Sequence, residues 1–406
     1  MSSLRVRNYR LYFFGQVVSV SGNWMQQIAI AWLVLRLTGS AFQLGLTTAL
    51  QTTPYLLLGA WGGLVADRFP KRRLLVTTQA LQVIPPIVLW VLTQSGSIEM
   101  WMVYVLVVLR GVVNTVDNPA RQSFVAEIVE RDQLVNAVSL NASVIQAGRL
   151  FGPAIAALVI ATLGLGPCFL LNALTFVFMI AMLLAMNASE LHPEPVTPRG
   201  KGQLRAGLSV AARTPELRLP LLLMAVVGLF SFNFTVVLPA IARFTYGGTA
   251  TTYAVMVNFL AVGALGGALI SSMRTTISTR VVSAAALAFG LALCLAAAAP
   301  DLRLALPALL LVGAASVTFS ASVQASLQLN AAPEMRGRIL ALYQIVYMGT
   351  TPIGALLVGG LAEATGARSG LVVGGIAASL AGVAGLWASV LRHRGDPMRP
   401  HFAEPS

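Results

Sequence analysis

The sequence predicts an all-α membrane protein whose twelve transmembrane helices form two pseudo-symmetric bundles of six. Three observations carry that expectation. Of the 406 residues, 57% are hydrophobic and only 10% charged, a balance that a water-soluble domain could not bury. Apolar runs of roughly 20 residues recur from end to end, each long enough to cross a hydrocarbon core about 30 Å thick as a helix. The one long polar interruption, 188–218, carries His192, Pro193, Pro195, Pro198, Gly200 and Gly202, which is linker composition, and it stands between six runs and six.

Hydropathy and turn residues place the spans at 11–36, 42–66, 74–94, 100–119, 136–162, 167–187, 219–242, 250–273, 280–299, 304–329, 338–363 and 369–391. The expected organisation is an N-terminal six-helix bundle over 1–187, a cytoplasmic linker over 188–218, and a C-terminal six-helix bundle with a short cytoplasmic tail over 219–406. The first run follows Arg5, Arg7 and Arg10 and is too long for a signal-peptide core, so it reads as a retained first helix. An internal repeat supports the two halves. Residues 131–164 and 332–366 share a layout that sets Gly148 against Gly349 at an offset of 201, about half the chain.

The net charge of +13 reflects topology rather than nucleic-acid binding, because the basic residues sit in short segments between apolar runs. Of the 27 Lys and Arg, 21 fall in segments on the side of the N-terminus, and only Arg36, Arg243, Arg303 and Arg368 fall on the other. Positive flanks stay in the cytoplasm, so both termini are expected there and the chain in the cell inner (plasma) membrane. Cys168 and Cys294 lie inside apolar runs, His192, His393 and His401 lie outside the spans, and no Walker loop or zinc-protease motif occurs. The expectation is a protein without cofactor or metal, neither an enzyme nor an ATP-driven pump.

Between the second and third spans stands GGLVADRFPKRR, with Gly63, Asp67, Arg68, Lys71, Arg72 and Arg73. It resembles the signature loop of the major facilitator superfamily, with Pro70 where a glycine is common. The fifth span holds GRLFGPAIAA, so Gly148, Gly152 and Pro153 match the Gly-x-x-x-Gly-Pro core of that superfamily's antiporter motif, with Ala156 and Ala157 replacing its usual glycines. The stretches at 118–141 and 332–344 are similar to the branch containing enterobactin exporters and macrolide-efflux proteins.

The resemblance implies the major facilitator fold and proton-coupled export, by alternating access, of a hydrophobic or amphiphilic small molecule such as a siderophore, macrolide or other drug-like compound. Its partners are then substrate, protons and the bilayer, and the protein works as a monomer. In the gating loop, Gly63, Asp67, Arg68, Lys71 and Arg72 form a latch against the eleventh helix, closed when the transporter faces outward. A purely topological anchor is the simpler reading of the same loop. Gly148, Arg149, Gly152 and Pro153 mark antiport, or else ordinary close helix packing.

Arg110, Asn114, Asp117 and Arg121 are spaced i, i+4, i+7 and i+11, one stripe of the fourth helix. The resemblance links Arg110 to proton transfer. Asp117 is the leading coupling residue by elimination, or it belongs to a charge network with Arg68, Lys71 or Arg72 that holds one state closed. Arg149, deep in the fifth helix, makes the interior positive and suited to an anion, or pairs with Asp117 or with backbone carbonyls. These arginines keep an organic-anion or phosphate-linked exchanger open as an alternative, beside a non-transporting receptor. Gln16, Ser19, Asn23, Gln26 and Gln27 fall within an arc of roughly 100° and are expected to face the central cavity. Asn114, Asn233, Asn258, Tyr343 and Tyr347 join them as candidate cavity residues, alongside Gln344, Thr350, Thr351 and a Phe cluster at 230, 232 and 234.

Overall fold

Backbone groups in hydrocarbon have no water to bond, so each apolar run satisfies them internally as a helix. The computed structural model describes residues 2–192, 203–273 and 277–395, and among these every regular element is helical. The first six long helices are α1 (Arg7–Thr38), α2 (Ala41–Arg68), α3 (Lys71–Ser95), α4 (Met100–Ile128), α5 (Leu134–Leu163) and α6 (Gly166–Leu184). A short α7 (Gln203–Arg213) precedes α8 (Pro215–Phe230), α9 (Phe234–Ala240) and a π turn over Ile241–Thr245. Then follow α10 (Ala250–Ser272), α11 (Thr279–Ala298), α12 (Leu302–Asn330), α13 (Arg336–Thr365) and α14 (Ser369–Gly395). Among the described residues ten spans are long and apolar enough to cross a membrane. The other two, α1 and α2, have the length but carry too many amides and hydroxyls, which the fold turns inward.

Several boundaries differ from expectation. The fourth helix continues to Ile128 because Pro119 is accommodated inside it. The seventh span breaks at 231–233, where the Ser231 hydroxyl donates to the Gly374 carbonyl at 2.8 Å and the Asn233 amide to the Leu229 carbonyl at 2.8 Å. These bonds satisfy a backbone that no longer runs as one helix. The polar interruption contains α7, and α14 takes in His393. Residues 193–202 of the expected linker and 396–406 of the expected tail, with His401, lie outside the described residues.

Packing follows the repeat. In the first half α1 lies on α5, α2 on α4 and α3 on α6; in the second, α8 lies on α13, α10 on α12 and α11 on α14. Small residues set the approach. A methyl group at Gly62 would meet the Thr115 carbonyl, one at Gly152 the Trp24 side chain, and one at Gly354 the Leu229 carbonyl. Gly148 packs on Val20 in the same seam. The glycines of the fifth-span motif thus sit at the α1–α5 contact, and Gly354 takes the corresponding place at α8–α13. Cys168 and Cys294 are free thiols, the first buried.

Across the halves α2 packs on α13 and α5 on α10. The halves are clasped where α1 ends and α2 begins. Glu363, in the last turn of α13, accepts from the backbone N–H of Ala41 at 2.7 Å and of Phe42 at 3.3 Å. Arg243 donates to the Leu35 carbonyl at 2.7 Å. One half therefore offers an anion to the positive start of α2 and a cation to the negative end of α1, each worth about 0.3–1 kcal/mol at an exposed site. Gly45 against the Ala355 carbonyl, and Gly359 against Ala41, bring the backbones together beside these bonds. Replacing Glu363 by Gln is expected to loosen this end. Thiol labelling of a cysteine introduced at Ser40, with the native cysteines replaced, should then accelerate several-fold, and an unchanged rate would deny the clasp that role.

Candidate functional site

A cavity of about 420 Å³ lies between α2, α4 and α13, lined by Gln51, Thr52, Tyr55, Gly111, Asn114, Asn118, Gln122, Gln344 and Met348. Both halves contribute walls. Counted along α2, α4 and α13, these positions occupy the middle of the molecule and the half that carries most Lys and Arg. Carboxamides dominate the lining and can each donate and accept. Asn114 is oriented from behind, its carbonyl taking the Gln82 amide at 2.7 Å, so its own N–H groups remain for the cavity.

Asn114 and Gln344 were legible as cavity residues. Gln51, Thr52, Tyr55, Asn118 and Gln122 join the lining beyond expectation, although Gln51 to Thr53 form a visible polar patch in an apolar run, and 114, 118 and 122 repeat every four residues. The α4 stripe divides at Asn114. Its cavity face is Gly111, Asn114, Asn118 and Gln122, whereas Asp117 turns toward α3. There the Asp117 carboxylate accepts from the Thr78 hydroxyl at 2.6 Å and the Gln79 amide at 2.8 Å and is ion-paired with Arg121. Asp117 is 2% exposed. Its partners are thus Arg121, Thr78 and Gln79 rather than Arg68, Lys71, Arg72 or Arg149.

The loop cations engage the first half directly. Lys71 lies 3.6 Å from Glu127 of α4, and Arg72 donates to the Leu183 and Leu184 carbonyls at 2.7 and 2.9 Å. Arg72 so caps the C-terminus of α6, where a cation also suits the helix dipole. Gly63 is buried, Asp67 half-buried and Arg68 exposed at the end of α2. The neighbouring Gly62 makes the close contact with α4.

The polar arc of α1 also divides. Asn23 accepts from Arg110 at 2.9 Å and Gln27 from Gln51 at 3.4 Å, facing α4 and α2. Gln26 instead bonds Asn172 of α6, and Gln16 and Ser19 are buried. A 100° step between adjacent residues is enough to send Gln26 toward α6 and Gln27 toward α2. Asn233 belongs to the break between α8 and α9 and packs on Gly354, while Thr350 bonds its own helix and packs on Gly228. The Asn258 side-chain carbonyl is buried without a partner.

An aromatic cluster completes the interior. Tyr343 and Tyr347 stack at 6.1 Å, and Phe232 meets Tyr347 edge-on at 5.5 Å and Phe289 at 5.2 Å. The Arg149 guanidinium lies 5.6 Å from the centre of the Trp24 ring. Among the described residues no group of three or more His, Cys, Asp or Glu is placed to hold a metal ion.

Two helical bundles related by a repeat, enclosing a polar cavity between them, define a membrane transporter of the major facilitator type. The chain matches the transmembrane secretion effector family over residues 1–405 and belongs to it. It is 24% identical to the staphyloferrin A transporter of Staphylococcus aureus, covering 88% of this chain and 90% of that one. It is 26% identical to the multidrug efflux pump Tap of Mycolicibacterium fortuitum, over 94% and 96%. To macrolide efflux protein A of Streptococcus pyogenes the identity is 22%, over 91% and 94%. In fold it is similar to a bacterial homologue of the human lysosomal transporter Spinster, solved inward-facing and unoccupied, with a TM-score of 0.74 at 15% identity over 97% and 99%. These relatives are transporters.

The Asp117 pair makes a direct prediction. Asp117→Asn keeps an acceptor for Thr78 and Gln79 but leaves Arg121 with no counter-charge, at a cost of about 3–5 kcal/mol for a buried pair broken on one side. The purified variant should melt several degrees lower than the parent, and an unchanged melting temperature would show that Arg121 does not depend on Asp117.

Proposed function

We propose that this protein is a monomeric exporter of the cell inner membrane that moves a hydrophobic or amphiphilic small molecule outward by alternating access, driven by inward proton movement. The carrying observation is the cavity shared by α2, α4 and α13. Since both halves supply its walls, rocking one half on the other changes the side to which it opens. Amides on the cavity wall beside the aromatics of α8–α13 suit a bulky amphiphile with scattered polar groups. The relatives named for a siderophore, macrolides and multiple drugs support export.

The end clasped by Glu363 and Arg243 is the one poor in basic residues, so positive-inside topology makes it the outer face and leaves both termini cytoplasmic. The conformer is then one closed outside, with its cavity on the cytoplasmic half. In this reading Gly63, Asp67 and Arg68 form the moving part of the latch, with Lys71 and Arg72 fixing its base to the first half. Asp117, with Arg121, serves the cytoplasmic charge network, because its carboxylate is already held within the bundle.

The test is efflux of siderophores, macrolides and lipophilic dyes from expressing cells, with and without a protonophore. Efflux of at least one compound that stops with the protonophore is the expected result, and Asp67→Asn should slow it at least tenfold at equal membrane abundance. Efflux insensitive to the protonophore would remove proton drive, and wild-type flux in Asp67→Asn would remove the role given to Asp67.

A further inference from the structure

Arg110 carries a charge that the protein leaves half-engaged. One of its η nitrogens donates to Asn23 at 2.9 Å, while Nε and the other η nitrogen are buried without a partner in a residue only 8% exposed. Donors in this condition are costly, and a cation in the membrane interior more so. Among the described residues no carboxylate forms a salt bridge with Arg110. Asp117 lies two turns away, roughly 10 Å along the helix axis, and is held by Arg121, Thr78 and Gln79. Among the described residues neither salt bridge that the structure contains reaches Arg110 or Arg149. Arg149 rests on Trp24, the residue after Asn23, so the two guanidiniums engage consecutive positions of α1.

Building on the exporter reading, we infer that Arg110 anchors an anion subsite and that the exported molecule carries a carboxylate on an aromatic or similarly flat apolar body. A carboxylate seated here accepts from the unused guanidinium donors and offsets the positive interior. Arg149 adds a second positive charge. Trp24, under the Arg149 guanidinium, and the Tyr347–Phe232 pair supply apolar faces in the same interior, and the amide-lined cavity starts at Gly111, the next residue, with Asn114 one turn on. The arrangement selects against cationic amphiphiles, which would meet two guanidiniums in a medium of low dielectric.

The probes are 2-naphthaleneacetate and 2-naphthaleneacetamide, a matched pair differing in charge, titrated calorimetrically into the full chain in lipid nanodiscs at neutral pH. The acid should bind at least about tenfold more tightly than the amide, the scale of a charge-assisted hydrogen bond. In Arg110→Gln that ratio should fall to about one, and Arg110→Lys should restore part of it. As a second variant, Arg149→Gln should reduce the ratio several-fold, which keeps the proposal testable if Arg110→Gln does not fold. Equal affinity for acid and amide in the parent protein, binding of neither, or an unchanged ratio in Arg110→Gln would overturn the subsite. Energised efflux of neutral dyes alongside any of those results would leave the exporter reading standing and remove only this one.

Discussion

A hydrocarbon medium gives polar groups no water, and the arrangement of this protein follows from where its polar groups find partners instead. Three amides of α1, a helix too polar to face lipid, are answered by α4, α6 and α2: Asn23 by Arg110, Gln26 by Asn172, Gln27 by Gln51. The hydroxyls of Ser21, Thr47, Thr52 and Thr53 turn back to carbonyls of their own helices. The bonds between helices need short interhelical distances, which glycines such as Gly62 and Gly152 permit by letting a backbone or side chain of the next helix sit where a methyl group would be. The same constraint separates the charges into two classes. Asp117 and Arg121 satisfy one another inside the first half, whereas Arg110 and Arg149 are left to amides and aromatic rings.

This division gives the two ends of the molecule different mechanical characters. At one end polar bonds clasp the halves beside a close backbone seam: a carboxylate on the start of α2 and a guanidinium on the end of α1, next to Gly45 and Gly359. Bonds of that kind are weak enough to break in a conformational cycle and directional enough to re-form in register. At the other end Lys71 and Arg72 fasten the start of α3 to α4 and α6, within one half. That half can then move as a unit, and in the proposed cycle the cavity between the halves is the space that opens and closes.

Much of the fold was legible because hydropathy and charge distribution act over whole helices. Twelve spans and their order emerged from apolar runs, and the small-residue layout around Gly148, Gly152 and Gly349 exposed the repeat. The break at 231–233 is not visible in the sequence, since Phe230, Phe232 and Phe234 keep the run apolar while Ser231 repairs the backbone through a tertiary bond to Gly374 and Asn233 through a local one to Leu229. At the site, residue type was informative and direction was not. Gln26 and Gln27 are adjacent amides that face different helices, α6 and α2, and the stripe through Arg110, Asn114 and Asp117 straddles two faces because the cavity wall is turned toward Gly111 and Asn118. Glu363 escaped notice because its role depends on Ala41, more than 300 residues away in the chain. No local pattern encodes that contact.

Distances between spin labels at the two ends test the central claim, that the halves rock about the cavity, most directly. One pair would be placed at Val135 and Met273 on the basic end, the other at Ser97 and Pro300 on the clasped end, in the cysteine-replaced protein in nanodiscs. On acidification or on addition of a transported compound, the first distance should shorten as the second lengthens. Two distances that stay fixed, or that change in the same direction, would contradict alternating access.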